Sequence, residues 1–207
     1  MCCESIKGTI SGPAGELEIW LECPKQTPKG VLLIAHPHPL HGGTMSNKVV
    51  HTLARAALNR GWIALRFNFR GVGKSGGVHD EGHGEQQDLL AVAEWGQSEW
   101  PELPLQLAGF SFGARIALLT AAQLKIAQLI LVAPPFRLYS DLWSVDCVEV
   151  PWAVLMGDAD EVVSFEDVAQ WVEQQQCPPH FEVFPQASHF FHGRLVDLRR
   201  SVEQILG

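Results

Sequence analysis

The sequence predicts an α/β fold of three layers, in which a mostly parallel central sheet is covered by helices on both faces and no separate lid domain is present. Two observations carry this expectation: short, unbroken apolar runs recur along the chain, and helical stripes separate most of them. With 207 residues, 46% of them hydrophobic and 18% charged, the chain can bury a core of ordinary domain size, so one domain over residues 1–207 is expected. No repeat, low-complexity tract or long linker divides it.

Taken in order, residues 16–22 alternate Leu17, Ile19 and Leu21 with acidic residues or Trp20, the period-two pattern of a half-buried, antiparallel strand near a sheet edge. Val31–Ala35 is a continuous apolar run, as expected of a strand covered on both faces. Comparable strand-like stretches lie at 63–67, 105–108, 129–133, 153–156 and 181–184. Between them, Val49, Val50, Leu53, Ala54, Ala57 and Leu58 mark one helical face, with Ser46 as its expected N-cap and Gly61 as its stop. Residues 89–95 suggest a second helix. Phe165, Val168, Ala169 and Val172 follow the cap candidate Ser164, and Leu195, Leu198, Val202 and Ile205 make a similar stripe at the end. Two irregular stretches, 71–84 and 134–151, are candidates to line a mouth above the sheet.

Composition narrows the function. Fifteen basic residues against 23 acidic ones give a formal charge of −8, which opposes binding to phosphate backbones, so nucleic acid is not expected as a partner. Five scattered cysteines without metal spacing fit reduced thiols in a cytoplasmic protein better than a disulfide framework. Residues 1–5 lack the basic start and apolar stretch of a secretory signal. The longest apolar region, 116–133, is interrupted by Gln123, Lys125 and Gln128, so no membrane span is expected.

The strongest chemical signal is Gly109-Phe110-Ser111-Phe112-Gly113, placed after a strand-like run and before a helix-like one beginning near Ala114. A serine at such a strand-to-helix elbow needs small residues two positions away on either side, and its Oγ projects above the sheet. The helix that follows directs unpaired N–H groups and its positive dipole end toward the serine, which favours charge developing on an attacked carbonyl. The Phe112 N–H is the natural oxyanion donor. A serine hydroxyl needs a histidine to take its proton and a carboxylate to orient that histidine. Candidates for the acid follow a strand in Gly157-Asp158-Ala159-Asp160-Glu161: Asp160 is preferred, with Asp158 and Glu161 as competitors otherwise read as turn or solvent-facing residues. The histidine comes from the segment after the last strand, where His189 is preferred over His192. The order Ser111, Asp160, His189 matches the α/β-hydrolase order of nucleophile, acid and base.

These segments, together with His36-Pro37-His38-Pro39-Leu40-His41-Gly42-Gly43 and Phe67-Asn68-Phe69-Arg70-Gly71-Val72-Gly73-Lys74-Ser75, resemble the α/β-hydrolase superfamily, specifically its small lidless members similar to dienelactone-hydrolase-like proteins. The resemblance covers nearly the whole chain and implies an acid three residues beyond a strand-end glycine, hence Asp160 after Gly157. It also implies a second oxyanion N–H from the loop after the Val31–Ala35 strand, at His38. Pro37 and Pro39 have no N–H to offer, so the donor is His38 or a residue from Leu40 onward. Dienelactone hydrolases proper would carry a cysteine where Ser111 stands, which argues against that specific activity. The expected reaction is hydrolysis of carboxylic esters or thioesters of small or exposed acyl substrates through an acyl-enzyme, without a cofactor.

Other motifs point to other chemistry. His36, His38 and His41 nearly reproduce a metallohydrolase His-x-His-x-Asp-His motif, but Leu40 stands at the aspartate position. In 79–83 a His-x-x-x-His spacing is set among glycines that oppose the required helix. Gly71-Val72-Gly73-Lys74-Ser75-Gly76 matches a dinucleotide-binding spacing without the helix that should follow it. Phe110, Phe112, Phe136, Trp143 and Phe190 are either an acyl pocket or ordinary core and wall. A noncatalytic protein that keeps the fold for recognition is the remaining alternative.

Overall fold

The computed structural model describes residues 5–136 and 148–207. Within them lie eight strands: β1 (Ile6–Gly12), β2 (Gly15–Glu22), β3 (Val31–Ala35), β4 (Ile63–Phe67), β5 (Leu105–Phe110), β6 (Gln128–Val132), β7 (Trp152–Gly157) and β8 (His180–Phe184). They form one sheet in the order β1-β2-β4-β3-β5-β6-β7-β8. β1 pairs with β2, and β2 with β4, in antiparallel fashion, whereas every neighbouring pair from β4 to β8 is parallel. All residues of β3, β4, β5 and β7 are buried, which is why these strands appear in the sequence as unbroken runs rather than alternating patterns.

Five helices connect or follow the strands: α1 (Lys48–Asn59), α2 (His83–Glu99), α3 (Phe112–Ala121), α4 (Phe165–Glu173) and α5 (Leu195–Ile205). The crossover β3-α1-β4 moves along the sheet in one direction, and the later crossovers move in the other. Right-handed connections therefore place α1 on one face and α2, α3 and α4 on the opposite face. α5 packs against α1, and α2 against α3, which completes the three layers. The described residues contain no lid domain, and no helix among them is long and apolar enough to cross a membrane.

Several local expectations change. The N-cap of α1 is Asn47, whose Oδ1 accepts from Val49 N at 2.8 Å, rather than the adjacent Ser46. The helix that includes 89–95, α2, begins well before them because its first turns are stabilised by polar groups: Glu85 accepts from the backbone N–H of Gly82 and Asp80, and Asp88 is buried against Arg70. β1 went unread in the sequence and lies outside β2, so β2 is one strand in from the edge. Among the described cysteines Cys177 is disulfide-bonded, against the expectation of reduced thiols, since spacing along the chain does not reveal which cysteines the topology brings together. Trp143 lies outside the described residues.

Candidate active site

The parallel strands deliver their C-terminal ends to one edge of the sheet, and the candidate residues stand in the loops that leave it. Ser111 joins β5 to α3 with φ 54° and ψ −120°, a conformation that costs a non-glycine residue energy and marks a sharp elbow. Its N–H donates to Val132 O at the end of β6. A Cβ at Gly109 would run into the Gly113 backbone, and one at Gly113 into the Ala35 carbonyl, so both glycines allow the close approach that the turn requires.

The acid and histidine segments converge on this elbow from β7 and β8. His189 Nε2 lies 3.1 Å from Ser111 Oγ, and His189 Nδ1 lies 2.7 Å from Asp160 Oδ2. The carboxylate at Nδ1 favours a proton there, donated to Asp160, and Nε2 faces the serine hydroxyl. The side chains of Asp160 and His189 are buried. The other Asp160 oxygen, Oδ1, accepts from Val162 N and Val163 N, each at 2.8 Å, which fixes the carboxylate plane. Asp158 and Glu161 do not reach the imidazole. Asp158 Oδ1 accepts instead from Gln186 N at 2.5 Å, and Glu161 Oε2 from His189 N at 3.0 Å. His192 is exposed, precedes α5 and does not line the cleft that holds Ser111.

A cleft of about 290 Å³ opens over Ser111 and His189. His38, His41 and Asn47 contribute the polar part of its lining, and Val162 and Phe190 an apolar part. Phe110 and Phe112 are buried, as is Phe136, so of the described aromatic candidates only Phe190 reaches the cleft. Asn47 and Val162 escaped the sequence reading: Asn47 bears only a capping signature, and the position of Val162 two residues beyond Asp160 was the one available clue.

The histidine loop does not gather ligands for a metal. His36 is fully buried with both ring nitrogens engaged: Nδ1 is 2.6 Å from Pro37 O, and Nε2 accepts from Phe69 N at 3.0 Å. Burial holds its pKa down at about 4. The His38 and His41 rings stack with centroids 4.5 Å apart rather than pointing to a common centre. Burial, followed by the neighbouring His41 and His79, lowers the pKa of His38, so it is a neutral imidazole at neutral pH. His38 Nδ1 accepts from Leu40 N, and His38 O accepts from His41 N and Gly43 N. The glycine-rich segment after β4 also spends its amides internally: Gly71 N donates to Gly76 O, Lys74 N to Glu18 Oε2 and Gly76 N to Glu16 O, leaving no phosphate cradle there.

Comparison with known proteins agrees with this architecture. A family model described as serine aminopeptidase, S33 matches residues 26–146. An uncharacterized protein of Rickettsia prowazekii is 32% identical, over 95% of this chain and 87% of its own length. A structure of an α/β serine hydrolase homologue from Coxiella burnetii superimposes with a TM-score of 0.94 at 49% identity, covering 100% of this chain and 99% of that one. A structure from Xanthomonas campestris, described as an α/β serine hydrolase without lid, gives a TM-score of 0.92 at 41% identity, over 99% and 94% of the two chains. The chain belongs to the α/β-hydrolase family that these proteins represent, as a small lidless serine hydrolase.

Proposed function

We propose that this protein hydrolyses carboxylic esters or thioesters of small or exposed acyl groups through an acyl-enzyme on Ser111. The observation that carries the proposal is the unbroken hydrogen-bonded path from Ser111 through His189 to Asp160 at the floor of an open cleft. In this reading His189 Nε2 accepts the Ser111 proton as Oγ attacks the carbonyl carbon, and the same proton is then given to the leaving alcohol or thiol. Water repeats the sequence to release the acid. Asp160 holds the ring in the productive tautomer and stabilises the imidazolium that forms.

The developing oxyanion is received by the N–H groups of Phe112 and His38. Phe112 opens α3, where the helix dipole adds positive potential. For the second donor, the amides of Leu40, His41 and Gly43 are consumed within the turn, which leaves those of His38 and Gly42 beside the cleft, and His38 stands where the family resemblance implies the donor. The polar imidazole lining and modest cleft volume support small acyl substrates. No step requires a cofactor.

The test is labelling with a fluorophosphonate followed by peptide mapping, together with turnover of p-nitrophenyl acetate. The label is expected on Ser111, and Ser111→Ala should lose both label and at least roughly 10³-fold in kcat. Full hydrolysis by the purified Ser111→Ala protein would refute the proposal.

A further inference from the structure

We propose that Glu161 is a positioning residue for His189, fixing the backbone of the histidine while Asp160 fixes its ring. The proposal rests on the Ser111-His189-Asp160 reading and adds a residue that acts through it. Sequence alone offers Glu161 as a competitor for the role of acid or as a solvated turn residue; it does not bond the imidazole, and although exposed it is tied to the histidine loop. Its Oε2 accepts from His189 N at 3.0 Å, while Asp160 Oδ2 takes the Nδ1 side of the same residue at 2.7 Å.

The loop after β8 needs such support. It contains two non-glycine residues in the left-handed region on either side of His189, Gln186 at φ 58° and Phe191 at φ 52°, and such conformations persist only where surrounding contacts over-determine them. The bonds that cross from the acid loop supply that determination at spaced points. Asp158 Oδ1 holds Gln186 N, Ala159 N donates to Ala187 O, and Glu161 Oε2 holds His189 N. Gly157 permits the approach, because a Cβ there would meet the Ala187 carbonyl. Of these bonds, only that of Glu161 reaches the backbone of the residue whose ring faces Ser111. A carboxylate accepting an N–H is also a stronger restraint than a neutral acceptor.

A functional consequence follows from the division of labour. With Asp160 alone, the imidazole can pivot about its Nδ1 hydrogen bond, and Nε2 leaves the line to Ser111 Oγ. Displacements well below the size of an atom are enough to slow a reaction whose groups must be held near attack distance. Glu161 is exposed, so its removal leaves the core intact.

The experiment compares Glu161→Ala and Glu161→Gln with the wild type on p-nitrophenyl acetate, with thermal unfolding measured in parallel. Glu161→Ala is expected to lower kcat about tenfold or more with KM within about twofold, and to broaden or shift the downfield proton signal of His189 Nδ1–H. Glu161→Gln keeps a carbonyl oxygen for the His189 N–H and is expected to recover most of kcat. Unchanged kcat in Glu161→Ala, with the wild type labelled at Ser111, would overturn the positioning role and leave the hydrolase reading standing. Equal losses in both variants would also overturn it, assigning the effect to charge. A wild type that takes no label at Ser111 would instead remove the reading on which the inference rests.

Discussion

At the scale of single residues, His36 shows how burial turns a possible ligand into a structural element. Its Nε2 accepts from Phe69 N and its Nδ1 contacts Pro37 O, so only the neutral ring satisfies both neighbours; a second N–H would face the Phe69 donor. The folded pKa near 4 lies below the ordinary value of 6.5, meaning that the unfolded chain binds more protons than the folded one between these values. The contribution of His36 to stability is therefore complete above pH 6.5 and declines as pH falls toward 4, by an amount on the order of 3 kcal/mol. Thermal melts from pH 7.5 to 4.5 should show a falling midpoint in the wild type. His36→Gln should start lower at pH 7.5 but decline less steeply over that window; parallel profiles would contradict the assignment. None of this was legible in the sequence, where His36, His38 and His41 form a suggestive metal spacing. The Phe69 N–H that occupies His36 comes from 33 residues away.

Among elements, legibility follows burial. β3, β4, β5 and β7 announced themselves because two covered faces demand continuous apolar residues. β1 did not, because none of its residues is buried and its register comes from pairing with β2. The start of α2 was hidden by buried polar groups, Glu85 and Asp88, which interrupt an apolar stripe yet are satisfied by backbone amides and Arg70. The elbow residues and the histidine segment were readable because serine, glycine and histidine carry local chemical meaning. The holding role of Asp158 and Glu161 was not, since it depends on how β7 and β8 lie side by side. That adjacency gives a prediction. In Gly157→Ala the new methyl group meets the Ala187 backbone and presses the acid and histidine loops apart, with an expected cost of about 1–3 kcal/mol in stability and roughly a tenfold loss in kcat. Gly8→Ala on β1, where a Cβ meets nothing within 4 Å, is the control and should retain full activity. Equal activity of the two variants would show that the approach at Gly157 does not position the site.

For the whole molecule, the consequential feature is that the candidate site opens directly from the strand ends, with no lid domain among the described residues. In the cleft of about 290 Å³ the apolar side chains among the described lining are Pro37, Val162 and Phe190, a small apolar surface; methylenes beyond it remain in water and add no binding. Each covered methylene is worth about 0.8 kcal/mol, or roughly fourfold in kcat/KM where the contact is present in the transition state. Across p-nitrophenyl acetate, butyrate, hexanoate, octanoate and dodecanoate, kcat/KM is therefore expected to rise over the first members and then level off. Among the described residues nothing covers the site that a lipid surface would displace, so the rate should also pass smoothly through the concentration at which a long-chain ester begins to aggregate. Initial rates on dispersed and micellar substrate measure this directly. A continued increase to dodecanoate, or an abrupt gain on aggregation, would mean that a longer apolar channel forms in the presence of substrate and that the short open cleft is not what sets chain-length preference.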